Sequence, residues 1–161
     1  AIDAAIAVGF ALSVVHPSAG NLGGGGFMVI RFGDGEVTTI DFREIAPEFA
    51  YRDMFLNESG EVVSGKSLYT ALAAGVPGTV AGLGYAHEKY GSRPWSSLLY
   101  PSINLAKNGF KLTYRDAMYL NQYHNYLLMY PDLHYRLYLS NNTHLYNKLN
   151  LKTSRDMYDY R

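Results

Sequence analysis

Residues 21–28 read Asn-Leu-Gly-Gly-Gly-Gly-Phe-Met, four consecutive glycines directly before an apolar run. Glycine loses more backbone freedom on folding than any other residue, so four together inside a structured region are costly. The flanks decide what they are for. Upstream, Ile2 to Val15 is alanine-rich and apolar nearly all round a helical wheel. That predicts a buried helix, ended by His16-Pro17 because proline lacks an N–H and disfavours helical geometry in the residue before it. Downstream, Phe27 to Arg31 predicts a strand, Gly33-Asp34-Gly35 a turn, and Val37 to Phe42 the returning strand of a hairpin. A dinucleotide fingerprint needs spaced glycines between a strand and a following helix, and a phosphate loop ends in Lys-Ser/Thr. Here the order is helix, glycines, strand, with Phe27-Met28 where the lysine would stand. A flexible linker fits no better, since both flanks are strongly apolar. The first reading is therefore backbone packed closely against a neighbouring element, and the second a ligand-facing turn.

The chain has 161 residues, enough for one ordinary domain with a real core. Lys plus Arg and Asp plus Glu number fourteen each, for a formal net charge of zero. A dedicated nucleic-acid binder would carry a clustered basic excess, so that class is disfavoured. No apolar run reaches membrane-spanning length. Without cysteine there is no disulfide framework, Cys-ligated zinc or thiol nucleophile, which fits a periplasmic or secreted bacterial protein. The opening Ala1-Ile2-Asp3, with no initiator Met and no signal peptide, reads as a processed or truncated start.

Composition shifts along the chain. All sixteen glycines lie at or before Gly109, whereas ten of the fifteen tyrosines lie after it. Tyr51 to Lys66 is polar and glycine-punctuated, an expected excursion over the surface. Val76-Pro77-Gly78-Thr79-Val80 opens a helix to about Tyr90, with Pro77 in its first turn. A further helix is expected from about Trp95 to Lys107, ended by Gly109. Thr113 and Asp116 form a capping-box pattern for one beginning at Tyr114. Beyond Pro131 the Tyr-, Leu-, Asn- and His-rich sequence reads weakly as helix.

Few residues carry chemistry. In Asp41-Phe42-Arg43-Glu44, strand alternation puts Ile40 and Phe42 on one face and Asp41 and Arg43 on the other. An arginine beside two carboxylates is most often a surface ion pair of small energetic value. The alternative is a bidentate clamp on a substrate carboxylate, which guanidinium geometry suits. His16, His87, His124, His134 and His144 show no metal-ligand spacing, and no Gly-x-Ser-x-Gly elbow is present. The tyrosines lack the basic groove that base stacking would require.

Several stretches together carry a resemblance. They are Ala1 to Ala7, His16 to Met28, Asp41-Phe42-Arg43-Glu44-Ile45-Ala46-Pro47, Arg52-Asp53-Met54-Phe55, and Gly75-Val76-Pro77-Gly78-Thr79-Val80-Ala81-Gly82. In order and spacing they resemble the gamma-glutamyltransferase (gamma-glutamyltranspeptidase) family, specifically the large subunit of its bacterial members. The resemblance runs from residue 1 to about residue 120; after about Asp132 it decays into a glycine-free, tyrosine-heavy tail, residues 133–161, where no site is expected. It implies an α+β fold, the N-terminal-nucleophile hydrolase αββα sandwich. Residues 1–161 would be a single partial domain of it, beginning partway into the family's first helix.

The resemblance also implies function. A family precursor (a zymogen) cleaves itself into a heterodimer of large and small subunits. The threonine freed at the start of the small subunit is the nucleophile, with its own α-amino group as base. No catalytic residue is then expected in this chain. The motif match gives Arg43 the task of holding the α-carboxylate of the gamma-glutamyl group. Glu44 would orient that arginine or face the substrate's amino group. The implied reaction cleaves gamma-glutamyl amides such as glutathione and passes the acyl group to amino acids, peptides or water. It needs no metal or organic cofactor; the implied partner is the small subunit from the same precursor. Rivals are a same-fold acylase (a cephalosporin acylase or a poly-gamma-glutamate processing enzyme) and a noncatalytic binding or structural homologue.

Overall fold

The computed structural model describes residues 1–16 and 18–129, so the expected helix beyond Pro131, His134, His144 and the tail at 133–161 lie outside the described residues. Residues 1–102 form one compact unit, and a second begins at residue 103.

In the first unit, α1 (Ile2–Val15) leads to β1 (Phe27–Arg31) and β2 (Val37–Asp41). After a long loop come α2 (Lys66–Tyr69), a 3-10 turn at Ala71–Ala73, α3 (Thr79–Tyr90) and the start of α4 (Trp95–Asn108). The strands pair antiparallel, Phe27 opposite Asp41 and Arg31 opposite Val37. The turn closes as Phe32 N–H donates to Glu36 C=O at 2.8 Å, with Gly35 at φ 94° and the Asp34 carboxylate accepting Glu36 N–H at 3.0 Å.

Period-two alternation makes the hairpin one-sided. Ile30 and Ile40 are buried and Met28 and Phe42 pack against them, while Phe27, Val29 and Val37 point outward, exposed. The buried face meets Ile6 and Phe10 of α1, Leu83 and Ala86 of α3, and Leu98 of α4. These residues recur at three- and four-residue spacings, so each helix offers one stripe to the core. Trp95 closes one end, its ring 5.4 Å from Phe10 edge-on and 5.1 Å from His87. The Asp3 carboxylate reaches the α3–α4 link, accepting from Ser92 Oγ at 2.6 Å and Ser92 N–H at 3.1 Å. The Ser92 hydroxyl, foremost, holds that carboxyl below its ordinary value, though α1 begins in solvent.

Two expectations need correction. Only Ile6 and Phe10 of α1 are buried, whereas Val8 is 54% and Leu12 41% exposed. The helix is apolar on more sides than the described residues cover. Pro77 precedes α3 rather than lying in its first turn, because Gly78 is the N-cap. The segment from Tyr51 to Lys66 does run over the surface, pinned by a bridge between Leu56 and Val62 and by the Asn57 amide, which accepts Glu61 N–H at 2.8 Å.

The second unit holds the end of α4 and α5 (Tyr114–Leu128). Gly109, at φ 79°, ends α4 in the left-handed conformation and returns its N–H to Leu105 C=O at 2.9 Å. Thr113 Oγ1 accepts Asp116 N–H at 3.2 Å and donates to the Asp116 carboxylate at 2.5 Å. The expected cap thus forms through the Thr113 hydroxyl at both ends of the exchange.

Candidate functional site

The glycine turn, the end of β2 and the start of α3 meet at one place. Gly26 and Phe42 exchange backbone hydrogen bonds at 3.3 and 3.0 Å, extending the ladder past the strand ends. A Cβ on Gly25 would stand 2.5 Å from Phe42 O, 2.8 Å from Arg43 Cα and 2.8 Å from Glu44 N. The turn lies flat against the backbone that carries Arg43 and Glu44. From the other side, a Cβ on Gly78 would fall 2.0 Å from Phe42 O, and one on Gly82 2.2 Å from the Phe42 ring. Backbone hydrogen bonds between Ile45 and Val76, at 3.3 and 2.9 Å, fasten the same strand end to the segment before α3.

Asn21 and Thr79 join these pieces. Asn21 Oδ1 accepts from Gly24 N–H at 2.9 Å and from Thr79 Oγ1 at 2.7 Å, while its Nδ2 donates to Ala19 C=O at 3.1 Å. Gly24 C=O in turn accepts the N–H groups of Gly78 and Thr79 at 2.8 and 3.0 Å, satisfying two donors at the start of α3. Sequence reading passed over both residues. An Asx-turn residue before the glycines was a visible signal for Asn21; its bond to Thr79, 58 residues on, left no local trace.

Arg43 stands at the mouth of this junction. Its own N–H donates to Asp41 Oδ1 at 3.0 Å, so Asp41 shapes the backbone turn rather than pairing with the guanidinium. Arg43 Nε lies 3.4 Å from Glu44 Oε2, and its Cζ 5.9 Å from the centre of the Phe27 ring. The arginine side chain is 59% exposed, leaving its fork of donors turned to solvent. The Glu44 side chain is a third exposed, yet Oε2 is buried and accepts no hydrogen bond from the described residues, the Arg43 contact falling outside hydrogen-bond geometry. An ionised oxygen left so is costly unless something cationic completes it. The Arg43 guanidinium supplies that charge at 3.4 Å without a hydrogen bond. Arg43 offers donors for a carboxylate, and an unsatisfied Glu44 oxygen lies beside them.

Arg52 and Asp53, from another of the quoted stretches, form an open pair at 3.8 Å on the surface loop. Among the described residues no group of three or more His, Cys, Asp or Glu is placed to hold a metal ion, and no helix is long and apolar enough to cross a membrane.

A hairpin packed on helices, with an exposed arginine at its strand end and glycines packed against that strand end, defines a class when set against known proteins. The family model described as gamma-glutamyltranspeptidase matches residues 1–157, and the chain belongs to that family. Over 110 residues it is 57% identical to the glutathione hydrolase proenzyme of Escherichia coli K12, a match covering 68% of this chain and 19% of that protein. Among solved structures it superposes on Helicobacter pylori gamma-glutamyltranspeptidase with a TM-score of 0.81 and 48% identity, over 90% of this chain and 41% of that one. The Bacillus anthracis transpeptidase enzyme CapD is similar at a TM-score of 0.61 and 38% identity, over 77% of this chain and 37% of that one. These relatives are enzymes, and the fold class is theirs: the α+β N-terminal-nucleophile hydrolase fold, of which this chain is a part. The chain spans about a fifth of the length of its E. coli relative.

Proposed function

We propose that this chain is the N-terminal portion of the large subunit of a bacterial gamma-glutamyltransferase, and that Arg43 and Glu44 hold the amino-acid end of the gamma-glutamyl donor. The observation that carries this reading is the pair itself: an outward guanidinium beside a buried, unsatisfied carboxylate oxygen. A free amino acid end carries one carboxylate and one ammonium. The first suits the Arg43 fork, and the second suits the partly exposed Glu44 carboxylate beside it.

Holding that end fixes the scissile amide a side chain's length away, which turns binding energy into orientation. A threonine of the small subunit then attacks the γ-carbonyl. Its hydroxyl proton passes by way of its α-amino group to the departing amine, leaving a gamma-glutamyl ester. Water, an amino acid or a peptide attacks the ester and restores the threonine. Glutathione is the expected donor; the E. coli relative's name supports it. The word proenzyme in that name supports self-cleavage into a heterodimer. We place the enzyme in the periplasm or outside the cell, a reading that cell fractionation tests.

The decisive experiment is Arg43→Ala in the complete enzyme, assayed on a gamma-glutamyl anilide. Loss of a bidentate charge-assisted contact is expected to lower kcat/KM by about 2–4 kcal/mol in transition-state terms; an unchanged value discards the clamp. The likeness to CapD favours a second reading, a transpeptidase of the same fold acting on another donor. Comparing glutathione with polymeric gamma-glutamyl donors separates the two.

A further inference from the structure

We propose that Asn21 is a positioning residue for the Arg43 clamp, acting through the glycine turn without touching the donor; this rests on the reading of Arg43 given above. Among the described residues, the Asn21 side chain bonds both the turn and the first residue of α3. Its Oδ1 takes the Gly24 N–H at 2.9 Å and the Thr79 hydroxyl at 2.7 Å. Gly24 C=O closes the same circuit by accepting the Gly78 and Thr79 N–H groups at 2.8 and 3.0 Å. The next residue, Gly25, is the one whose Cα faces Arg43 Cα and Glu44 N with no room for a methyl group. Asn21 therefore sets the height of the turn, and the turn sets where the Arg43 backbone rests. Thr79 is buried with 8% exposure, and its hydroxyl bond to Asn21 is partly buried.

The chemistry asks for an oxygen acceptor at this position. An aspartate offers one and also suits the start of α3, where the helix dipole favours negative charge. It cannot donate to Ala19 C=O, which asparagine does at 3.1 Å. Alanine offers nothing, leaving the Gly24 N–H and the Thr79 hydroxyl to find other partners.

The test uses the complete, processed enzyme and initial rates on a gamma-glutamyl anilide. Asn21→Ala is expected to raise KM for the donor about tenfold while kcat changes by less than about threefold, because a displaced clamp weakens a contact made in ground and transition states alike. Asn21→Asp is expected to recover most of that loss. The separating measurement is a double-mutant cycle with Arg43→Lys, which keeps the charge and loses the fork whose placement Asn21 controls. In that background Asn21→Ala is expected to change KM less than about twofold. Full multiplication of the two effects, or an unchanged KM for Asn21→Ala alone, overturns the proposal. If Arg43→Lys leaves KM unchanged, the clamp reading fails and takes the proposal with it; if Arg43→Lys raises KM but the effects multiply, only the positioning role fails. Should Asn21→Ala not accumulate as processed enzyme, Thr79→Val removes one of the two bonds to Oδ1 and enters the same cycle, with Thr79→Ser restoring it.

Discussion

Adding a single methyl group at Gly25 tests whether the glycine turn is scaffold for the site. A Cβ there would sit 2.5 Å from Phe42 O, 2.8 Å from Arg43 Cα and 2.8 Å from Glu44 N, all backbone atoms with no rotamer to escape into. Ordinary van der Waals contact begins near 3.4 Å, so the two segments must separate by close to 0.9 Å at the tightest point. Overpacking of that kind typically costs about 1–3 kcal/mol of stability. A displacement approaching 1 Å in a substrate-positioning element can cost about a hundredfold in rate. Gly23→Ala is the matched control, since nothing lies within 4 Å of a Cβ at that position.

Both variants would be measured in the complete enzyme, by kcat/KM on a gamma-glutamyl anilide and by thermal melting. Gly25→Ala is expected to lose at least about tenfold in kcat/KM with every reactive group still present, and Gly23→Ala to stay near wild type in both. Wild-type kcat/KM in Gly25→Ala would refute the scaffold reasoning. An equal loss in Gly23→Ala would show that the turn responds to lost glycine flexibility, and not to contact with the Arg43 backbone.

Purified residues 1–161 alone are expected to show no turnover, because the chain is proposed to lack the nucleophile; activity in a preparation shown by mass spectrometry to be free of any Thr-initiated subunit would reject that division of labour. Asp3 is expected to contribute stability above its ordinary value of 3.8 and to lose it as pH falls through its lower folded value, since the ionised carboxylate is the form that Ser92 bonds best. The melting temperature of Asp3→Asn should thus lie below wild type near neutrality and converge with it in acid; a constant gap down to pH 2 would contradict this.

Hairpin, helices and caps were legible in the sequence because each is written locally. Alternation at Phe27–Arg31 and Val37–Asp41, Gly109 after α4, and Thr113 with Asp116 before α5 all act within a few residues. Burial was harder to read. The apolar circumference of α1 predicts burial on every side, yet what covers a helix is set by elements elsewhere, and here only the Ile6–Phe10 stripe is covered. The site was half legible. Arg43 could be singled out by residue type and strand position, but carboxylates on both sides made the surface ion pair the better reading. Geometry narrows that reading to Glu44: Asp41 is spent on a backbone N–H, and Glu44 Oε2 lies 3.4 Å from Arg43 Nε. The glycines show the same limit from the other side. Their number and flanks told that backbone must pack against something, whereas the partner, Phe42 to Glu44, depends on how the chain returns after the hairpin turn. Gly78 and Gly82 press on that strand end from α3, more than thirty residues further along. Glycines in two separate stretches thus serve one requirement, that their backbones approach Phe42 and the strand end that continues into Arg43. A requirement shared across such distances leaves each stretch looking merely glycine-rich, and only their meeting point reveals that the strand end at Phe42 is what they pack against.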